Sequence, residues 1–517
     1  MVLTSRYTSR PIPDTSLAAY FREAVAGRAA EVAVVDGPTG RTITFGELLD
    51  RSASFAHALI ARGVAPGDRV AFVVPNLPEV AIAYHGVIAA GAVAMMVNPL
   101  STADELPKYF GVGSPRLVVT VPPLVEAIRV AAPGLPVIAL GEAPGAEPFA
   151  SLLGGSNVPP QVAVSPDAVA VMPYSSGTTG FPKGVMLTHR NMLTACASIS
   201  EYLRIVEDEV ILCALPLAFD YGLYQMIMAF ANGARLVLER SFAFPADVLK
   251  TMIDEQVTGF PGVPTMFAVL AGMKSLRALD LSRIRYVTNT AAALPVRHIT
   301  MLRELFPDAR IYSMYGLTEC KRCTYLPPED IDRKPESVGI AIPNTELWLV
   351  DEHDRKLGPG EIGQLVIRGA TVMKGYWEKP EATARKLRPG PGPGEQVLYT
   401  GDLCRIDDEG YLYFVGRMDD IIKSRGEKVA PKEVESALVD ILGVREAAVI
   451  GVADDLLGQA VKAFVVLDRP QGARLDARAI QRECQARLES FMVPKHVEIV
   501  DSLPRGATGK IDKKDLR

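Results

Sequence analysis

Between residues 69 and 172 short apolar runs recur at intervals that leave room for a helix between them. This recurrence restricts the fold more than any other feature of the chain. Arg69–Pro75 reads Arg-Val-Ala-Phe-Val-Val-Pro, a continuous apolar run of the kind a strand buried on both faces requires. Glu79–Gly91 follows with helical spacing, and then comes a further apolar run, Ala92–Val97. The pattern returns at Arg116–Val121, Val137–Leu140 and Val169–Met172. Alternation of this kind predicts α/β layers with mainly parallel strands. Gly141–Pro166, rich in Gly, Pro and Ser, reads as a surface loop.

After about Asn344 the texture changes to short strands punctuated by turns: Leu347–Val350, Gly363–Arg368 and Tyr411–Val415. Asp407-Asp408-Glu409-Gly410 between two such runs is a hairpin signal, and the spacing predicts a small β-barrel or twisted antiparallel sheet. Arg388–Gly394 (Arg-Pro-Gly-Pro-Gly-Pro-Gly) reads as an exposed loop, because it can neither enter a helix nor complete a sheet ladder. From Pro431 the order is helix, strand (Ala447–Val452), strand (Ala460–Leu467), helix (Asp476–Ser490) and a polar tail. The fold class expected is α/β: a large N-terminal domain of layered α/β subdomains plus a small β-barrel, then a small α+β C-terminal domain. The boundary is placed in Gly416–Asp420, dividing the chain into residues 1–417 and 418–517.

At 517 residues the chain exceeds one ordinary core, and about 150 residues per domain implies roughly three to four folding units. It is 48% hydrophobic and 22% charged, the profile of a globular protein and not of a disordered one. A formal charge of −5 argues against global attraction to nucleic acid or an acidic membrane, while a local basic cleft for an anionic ligand stays open. The longest nearly apolar run, Val87–Val97, has eleven residues, against about 20 for a spanning helix. The N-terminus lacks the apolar core of a secretory signal. Six cysteines are too sparse for a disulfide framework. Cys320-Lys321-Arg322-Cys323 has no second Cys pair at zinc-ribbon spacing, and reduced, partly buried thiols are expected over a redox or metal site. The expected setting is cytoplasmic.

The most informative segment is Tyr174-Ser175-Ser176-Gly177-Thr178-Thr179-Gly180-Phe181-Pro182-Lys183-Gly184. It follows the apolar strand Ala168–Met172 and precedes Thr188, a good N-cap for a helix starting near Arg190. Glycines let backbone N–H groups converge, hydroxyls donate to phosphate oxygens, and the lysine supplies a point charge; together they suit a polyphosphate. The loop is not a Walker A motif, since Pro182 precedes the lysine and Gly184 follows it.

This segment resembles the phosphate loop of the adenylate-forming superfamily, which contains acyl-CoA synthetases, adenylation domains and luciferases. Tyr315-Gly316-Leu317-Thr318-Glu319 resembles that family's Y-G-x-T-E segment, and Tyr399-Thr400-Gly401-Asp402 its R/T-G-D segment. Gly416–Lys423 (Gly-Arg-Met-Asp-Asp-Ile-Ile-Lys) resembles the hinge, and Pro504–Lys510 the terminal P-x-x-x-x-G-K. Each is weak alone; five in order across residues 174 to 510 identify the family.

The resemblance implies activation of a carboxylic acid by ATP. Two anions must meet, so charge neutralisation and in-line positioning dominate the catalytic problem. By resemblance, Ser175, Ser176, Gly177, Thr178, Thr179, Gly180 and Lys183 hold the β- and γ-phosphates, Thr318 contacts phosphate, and Glu319 ligates Mg2+. Asp402 accepts from the ribose hydroxyls, with Arg417 adding a ribose or phosphate contact. Tyr315 and Gly316 lie at adenine, and Thr290, Ala291 and Ala292 form the opposite wall. That wall departs from the family's usual G-G/A-A-P, because Thr290–Leu294 reads Thr-Ala-Ala-Ala-Leu and loss of glycine restricts backbone approach. The resemblance makes Lys510 the catalytic lysine, brought between carboxylate and α-phosphate by a mobile C-terminal domain. The same resemblance implies a hinge at Asp419 and places Lys423 and Gly426 near the approach of the CoA thiol.

The resemblance also implies an acyl pocket built from three stretches, containing Phe219, Asp220 and Tyr221; Gly262; and Thr288–Thr290 with Asn289, with Cys320 at the pocket end. Phe219, Tyr221 and Met226 fit either a flat ring or an aliphatic tunnel. An aromatic acid of benzoate or anthranilate type is favoured, with a medium-chain fatty acid as the alternative. ATP and CoA are co-substrates; a carrier protein's pantetheine thiol is the alternative acceptor. A non-catalytic adenylate binder is disfavoured by the presence of both Glu319 and Lys510. Oligomeric state stays open, a dimer included. Lys321 or Arg322 reads either as a phosphate neutraliser or as a helix-start salt bridge.

Overall fold

The computed structural model describes residues 1–6, 11–175, 182–273, 276, 279–290, 294–425, 427–454, 457–468, 475–505 and 511–516. Two compact units emerge: Val2–Leu347 with Ile367–Leu398, and Met1 with Trp348–Val366 and Tyr399–Arg517. The boundary read between Arg417 and Met418 falls inside the second unit. The α/β class holds, with a large N-terminal part built on several sheets and a smaller C-terminal part. Among the described residues no helix is long and apolar enough to cross a membrane.

The first unit holds two nine-stranded sheets. In one, the runs read as doubly buried strands pair in parallel: Val93–Val97 and Leu117–Thr120 flank Arg69–Val73, and Val137–Ala139 lies beyond Leu117–Thr120. Their side chains supply the core, including Ala71, Val73, Val93, Met95, Val97 and Val118. Lys183–Thr188 joins the same sheet antiparallel to Val169–Met172. Thr188 then caps the helix His189–Leu203 through a capping box with Asn191. Asn191 also donates from Nδ2 to the carbonyls of Ala370 and Val372, at 2.8 and 2.9 Å. That clamp seats the strand Gly375–Tyr376 antiparallel against Val185 and Met186.

The other sheet runs in parallel through Val32–Asp36, Arg235–Leu238, Val210–Cys213, Gly259–Gly262, Tyr286–Asn289 and Arg310–Tyr315. Its edges are antiparallel, at Arg41–Thr44 and at Thr324–Tyr325 with Ile340–Ala341. The strand ends at Cys213, Gly262, Asn289 and Tyr315 each lead into a segment read as part of the site.

Two readings are corrected here. The loop expected over Gly141–Pro166 contains a short strand, Glu147–Pro148, parallel to Val137–Ala139, and a 3-10 turn, Phe149–Leu152. Arg388 and Pro389, expected in an exposed loop, lie in the strand Leu387–Pro389, paired to Gln396–Leu398. A proline is excluded from central ladders because it cannot donate, and an edge strand asks for no donor on its open side.

In the second unit, Leu412–Arg417 pairs antiparallel with the strand that carries Asp402, opposing Asp402 to Arg417. A separate five-stranded sheet is built around the long hairpin Val444–Asp454 and Gly458–Leu467. The helices Pro431–Val439 and Ala477–Arg487 cover it, burying Val434, Leu438, Ile480 and Cys484 against Val449, Val461 and Val465.

Candidate active site

The two described ends of the phosphate segment pair antiparallel. Tyr174–Ser175 pairs with Lys183–Gly184, so Ser175 and Lys183 face each other across the ladder. Ser176, Gly177, Thr178, Thr179 and Gly180 lie outside the described residues. The Lys183 ammonium sits 5.3 Å from the ring centre of Tyr376, a cation–π separation. The Tyr376 hydroxyl in turn donates to Glu319 Oε1 at 2.7 Å. The Glu319 carbonyl accepts from the Met373 N–H at 2.8 Å, so backbone and side chain are both tied to the strip leading into Tyr376. Lys183, Tyr376 and Glu319 thus form one polar line beside the Ser175–Lys183 pair.

Glu319 itself lies in a turn and not at a helix start. After the strand Arg310–Tyr315 the chain passes Gly316, Leu317 and the turn Thr318–Cys320, then returns as Thr324–Tyr325 antiparallel to Met314–Tyr315. Gly316 permits the reversal, because a Cβ there would lie 2.1 Å from the Lys321 carbonyl oxygen. Lys321 closes the turn at φ +65°, the left-handed region that side chains disfavour. Half-buried Tyr315, Thr318 and Glu319 are thereby presented together on one tight reversal.

The same reversal drives Lys321 and Arg322 inward, where they are only 2% and 4% exposed. The helix-start salt bridge read for them is corrected: there is no helix, and neither forms an ion pair among the described residues. Lys321 Nζ lies 5.0 Å from the ring centre of Tyr224 and has no hydrogen-bond acceptor among the described residues. The Arg322 guanidinium lies 5.0 Å from the Tyr221 ring centre and donates from Nη1 to Thr290 Oγ1 at 3.0 Å, leaving Nε without an acceptor. Burial lowers the Lys321 ammonium to about 8, opposed by the field of Asp220 and reinforced by that of Arg322. Cys320 and Cys323 are buried free thiols with Sγ atoms 3.8 Å apart.

Of the three stretches read as an acyl pocket, the first and third reach this pair, through Tyr221 and Thr290. Phe219 precedes the helix Asp220–Ala231, Asp220 opens it, and Tyr221 and Tyr224 lie one turn apart. The Tyr221 hydroxyl bonds to Thr288, 3.0 Å from its carbonyl oxygen and 2.7 Å from its Oγ1. Burial, partly offset by Arg322 and by the bond to Thr288, pushes that phenol up to about 12. Gly262 pairs with Asn289 on adjacent strands, and Thr290 is buried beside Arg322. Met226 is fully buried. Ala291 and Ala292 lie outside the described residues.

In the second unit Asp402 is 2% exposed, and Arg417 Nη1 reaches its Oδ1 at 3.3 Å. Thr400 fixes the bend, accepting from the Asp402 N–H at 3.0 Å while donating to the Leu365 carbonyl at 2.8 Å. Asp419 is exposed in the 3-10 turn Met418–Asp420. Lys423 is exposed, and its N–H donates to Gln459 Oε1 at 2.8 Å. Gly426 and Lys510 lie outside the described residues. Sequence reasoning missed Tyr376, whose link to Glu319 spans 57 positions, and missed the burial of the two cations.

The chain matches the family described as "AMP-binding enzyme" over residues 21–377, and "AMP-binding enzyme C-terminal domain" over residues 433–510. It is 34% identical to 4-coumarate–CoA ligase 5 of Oryza sativa subsp. japonica, covering 100% of this chain and 97% of that protein. It is 31% identical to the long-chain-fatty-acid–CoA ligase of Bacillus subtilis (strain 168), covering 98% and 95%. The crystal structure of the anthranilate CoA ligase AuaEII in complex with anthranoyl-AMP superposes with a TM-score of 0.86 at 28% identity, over 98% of this chain and 97% of that one. The chain belongs to the AMP-binding enzyme family and is an adenylate-forming acyl- or aryl-CoA ligase.

Proposed function

We propose that the chain joins an aryl carboxylic acid of benzoate or anthranilate type to CoA through an acyl-adenylate. The acid's carboxylate attacks the α-phosphorus of ATP and expels pyrophosphate. The CoA thiol then attacks the acyl carbon and AMP leaves. The observation that carries the reading is the line from Lys183 through Tyr376 to Glu319, which links a cation and a carboxylate at the end of the segment read as the phosphate loop. In this reading Ser175–Gly180 and Lys183 bind the β- and γ-phosphates, and Thr318 contacts phosphate. Tyr315, Gly316, Thr290, Ala291 and Ala292 enclose adenine, while Asp402 with Arg417 holds the ribose. Residues 1–417 carry the substrate sites and 418–517 bring Lys510 to the reacting carboxylate. Rotation at Asp419 then exchanges Lys510 for Lys423 and Gly426 at the thiol's approach.

Among the described residues no group of three or more His, Cys, Asp and Glu could hold a metal. One carboxylate, Glu319, with Oε2 unbonded by any described residue, fits Mg2+, which is commonly held by one or two carboxylates plus phosphate and water. When bound, the ion would neutralise phosphate charge. The six buried free thiols accord with a reducing, cytoplasmic setting.

Similarity to the 4-coumarate and anthranilate ligases, with Phe219 and Tyr221 on the acyl stretch, supports an aryl acid. The Bacillus subtilis relative supports the fatty-acid alternative. The deciding assay offers a panel of acids with ATP and either free CoA, holo-carrier protein or neither, following pyrophosphate and thioester. Preference for octanoate over every aryl acid would remove the aryl reading; thioester formed only on the carrier would remove the CoA reading.

A further inference from the structure

The two buried cations after Glu319 take no part in the chemistry above. Charged side chains are almost never fully buried unless paired, and a lone buried cation is strongly destabilising. Lys321 and Arg322 are nonetheless both buried, and the charge of Arg322 acts on the Lys321 ammonium. Tyr221 and Tyr224, one turn apart on a single helix face, each lie against one of them. Thr290 anchors one guanidinium nitrogen, while Lys321 Nζ and Arg322 Nε have no acceptor among the described residues. Asp220 and Glu319 reach Lys321 through their fields without an ion pair. An ammonium and a guanidinium, braced by phenol rings, offer donors suited to a two-oxygen anion. A neutral ring or alkyl tail would leave those donors unmet, and such mismatches give the largest discriminations between substrates.

We infer that Lys321 and Arg322 form an anion subsite in the acyl pocket, and that the acid activated here carries a second carboxylate remote from the one that is adenylated. This rests on the placement of the acyl pocket in the stretches 219–221, 262 and 288–290, and deepens that reading.

The test pairs benzoate with a benzenedicarboxylate and octanoate with octanedioate, measuring pyrophosphate release and thioester mass for the wild type, Lys321→Met and Arg322→Gln. The expected result is a kcat/KM preference of at least about tenfold for the dicarboxylic member of one pair, expressed mainly in KM, and its collapse in either variant. Equal or better use of the monocarboxylic member in both pairs overturns the inference. So does a preference that neither variant moves, or an equal loss on both members, which would assign the cations to the nucleotide or to packing. Octanedioate preferred over octanoate and over both aryl acids keeps the subsite and removes the aryl reading; both monocarboxylic members preferred over their dicarboxylates, with benzoate used best, does the reverse. Should a variant fail to fold, the wild-type ratio and the other variant decide.

Discussion

The hydroxyl of Tyr376 donates to Glu319 Oε1 at 2.7 Å, and the ring of the same tyrosine lies under the Lys183 ammonium. One side chain thus orients a proposed metal-binding carboxylate and a proposed phosphate-binding cation. Tyr376→Phe keeps the ring and removes the donor. A hydrogen bond to a charged group contributes about 1.5–3 kcal/mol, so acid-dependent pyrophosphate release should fall roughly tenfold or more, with a higher Mg2+ requirement. Glu319→Gln should lose more. Unchanged Mg2+ dependence in Tyr376→Phe would show that the contact is only structural.

Asp402 and Arg417 oppose each other across one ladder, the carboxylate buried and the guanidinium about 41% exposed. Asp402→Asn keeps the shape and loses the charge that a two-hydroxyl sugar edge would use. It should raise the KM for ATP about tenfold or more while leaving the KM for the acid nearly in place. Arg417→Gln should have the smaller effect, because solvent already screens that side chain. Equal changes in both KM values would count against a ribose role.

The sequence was legible where one local pattern decides the outcome. Arg69–Val73 and Val93–Val97 declare themselves because burial on both faces demands an unbroken apolar run, and Thr188 declares a helix start because its hydroxyl and Asn191 satisfy one another. Arg388 and Pro389 misled because the ban on proline concerns donors that an edge strand does not need. Lys321 and Arg322 misled in the other direction, since charge ordinarily means solvent. Their burial depends on the reversal at Gly316, where only a missing side chain lets the Lys321 carbonyl pack. The link from Tyr376 to Glu319 joins separate elements, so no local window contains it.

Lys321 gives a stability test that is independent of substrate. Burial holds its pKa near about 8 against an ordinary value of 10.5, with Asp220, Cys320 and Glu319 raising it and Arg322 lowering it. Between those two values the unfolded chain binds the proton and the folded chain does not. Stability should therefore rise with pH across that window, and the burial penalty should be complete below it. Lys321→Met removes the penalty without removing volume, so its melting temperature should exceed that of the wild type at about pH 7. The gain should shrink as the pH climbs toward about 10. Calorimetry at several pH values checks this; a constant difference would mean that the lysine is not desolvated.

The last pair of substitutions separates the two half-reactions. Lys510→Ala removes an ammonium proposed to meet the developing charge between carboxylate and α-phosphate. Losing a group of that kind costs on the order of a hundredfold or more, so acid-dependent pyrophosphate release should collapse while thioester formation from supplied acyl-adenylate continues. Asp419 lies in an exposed turn directly after the strand Leu412–Arg417, where a change in φ and ψ meets little packing. Asp419→Pro fixes φ near −65° and should spare one half-reaction more than the other, the reverse of Lys510→Ala if the conformer it favours is the adenylating one. Rapid-quench measurement of each half-reaction decides the matter. Equal loss of both in Asp419→Pro would remove the hinge, and adenylation within a few-fold of wild type in Lys510→Ala would remove the lysine.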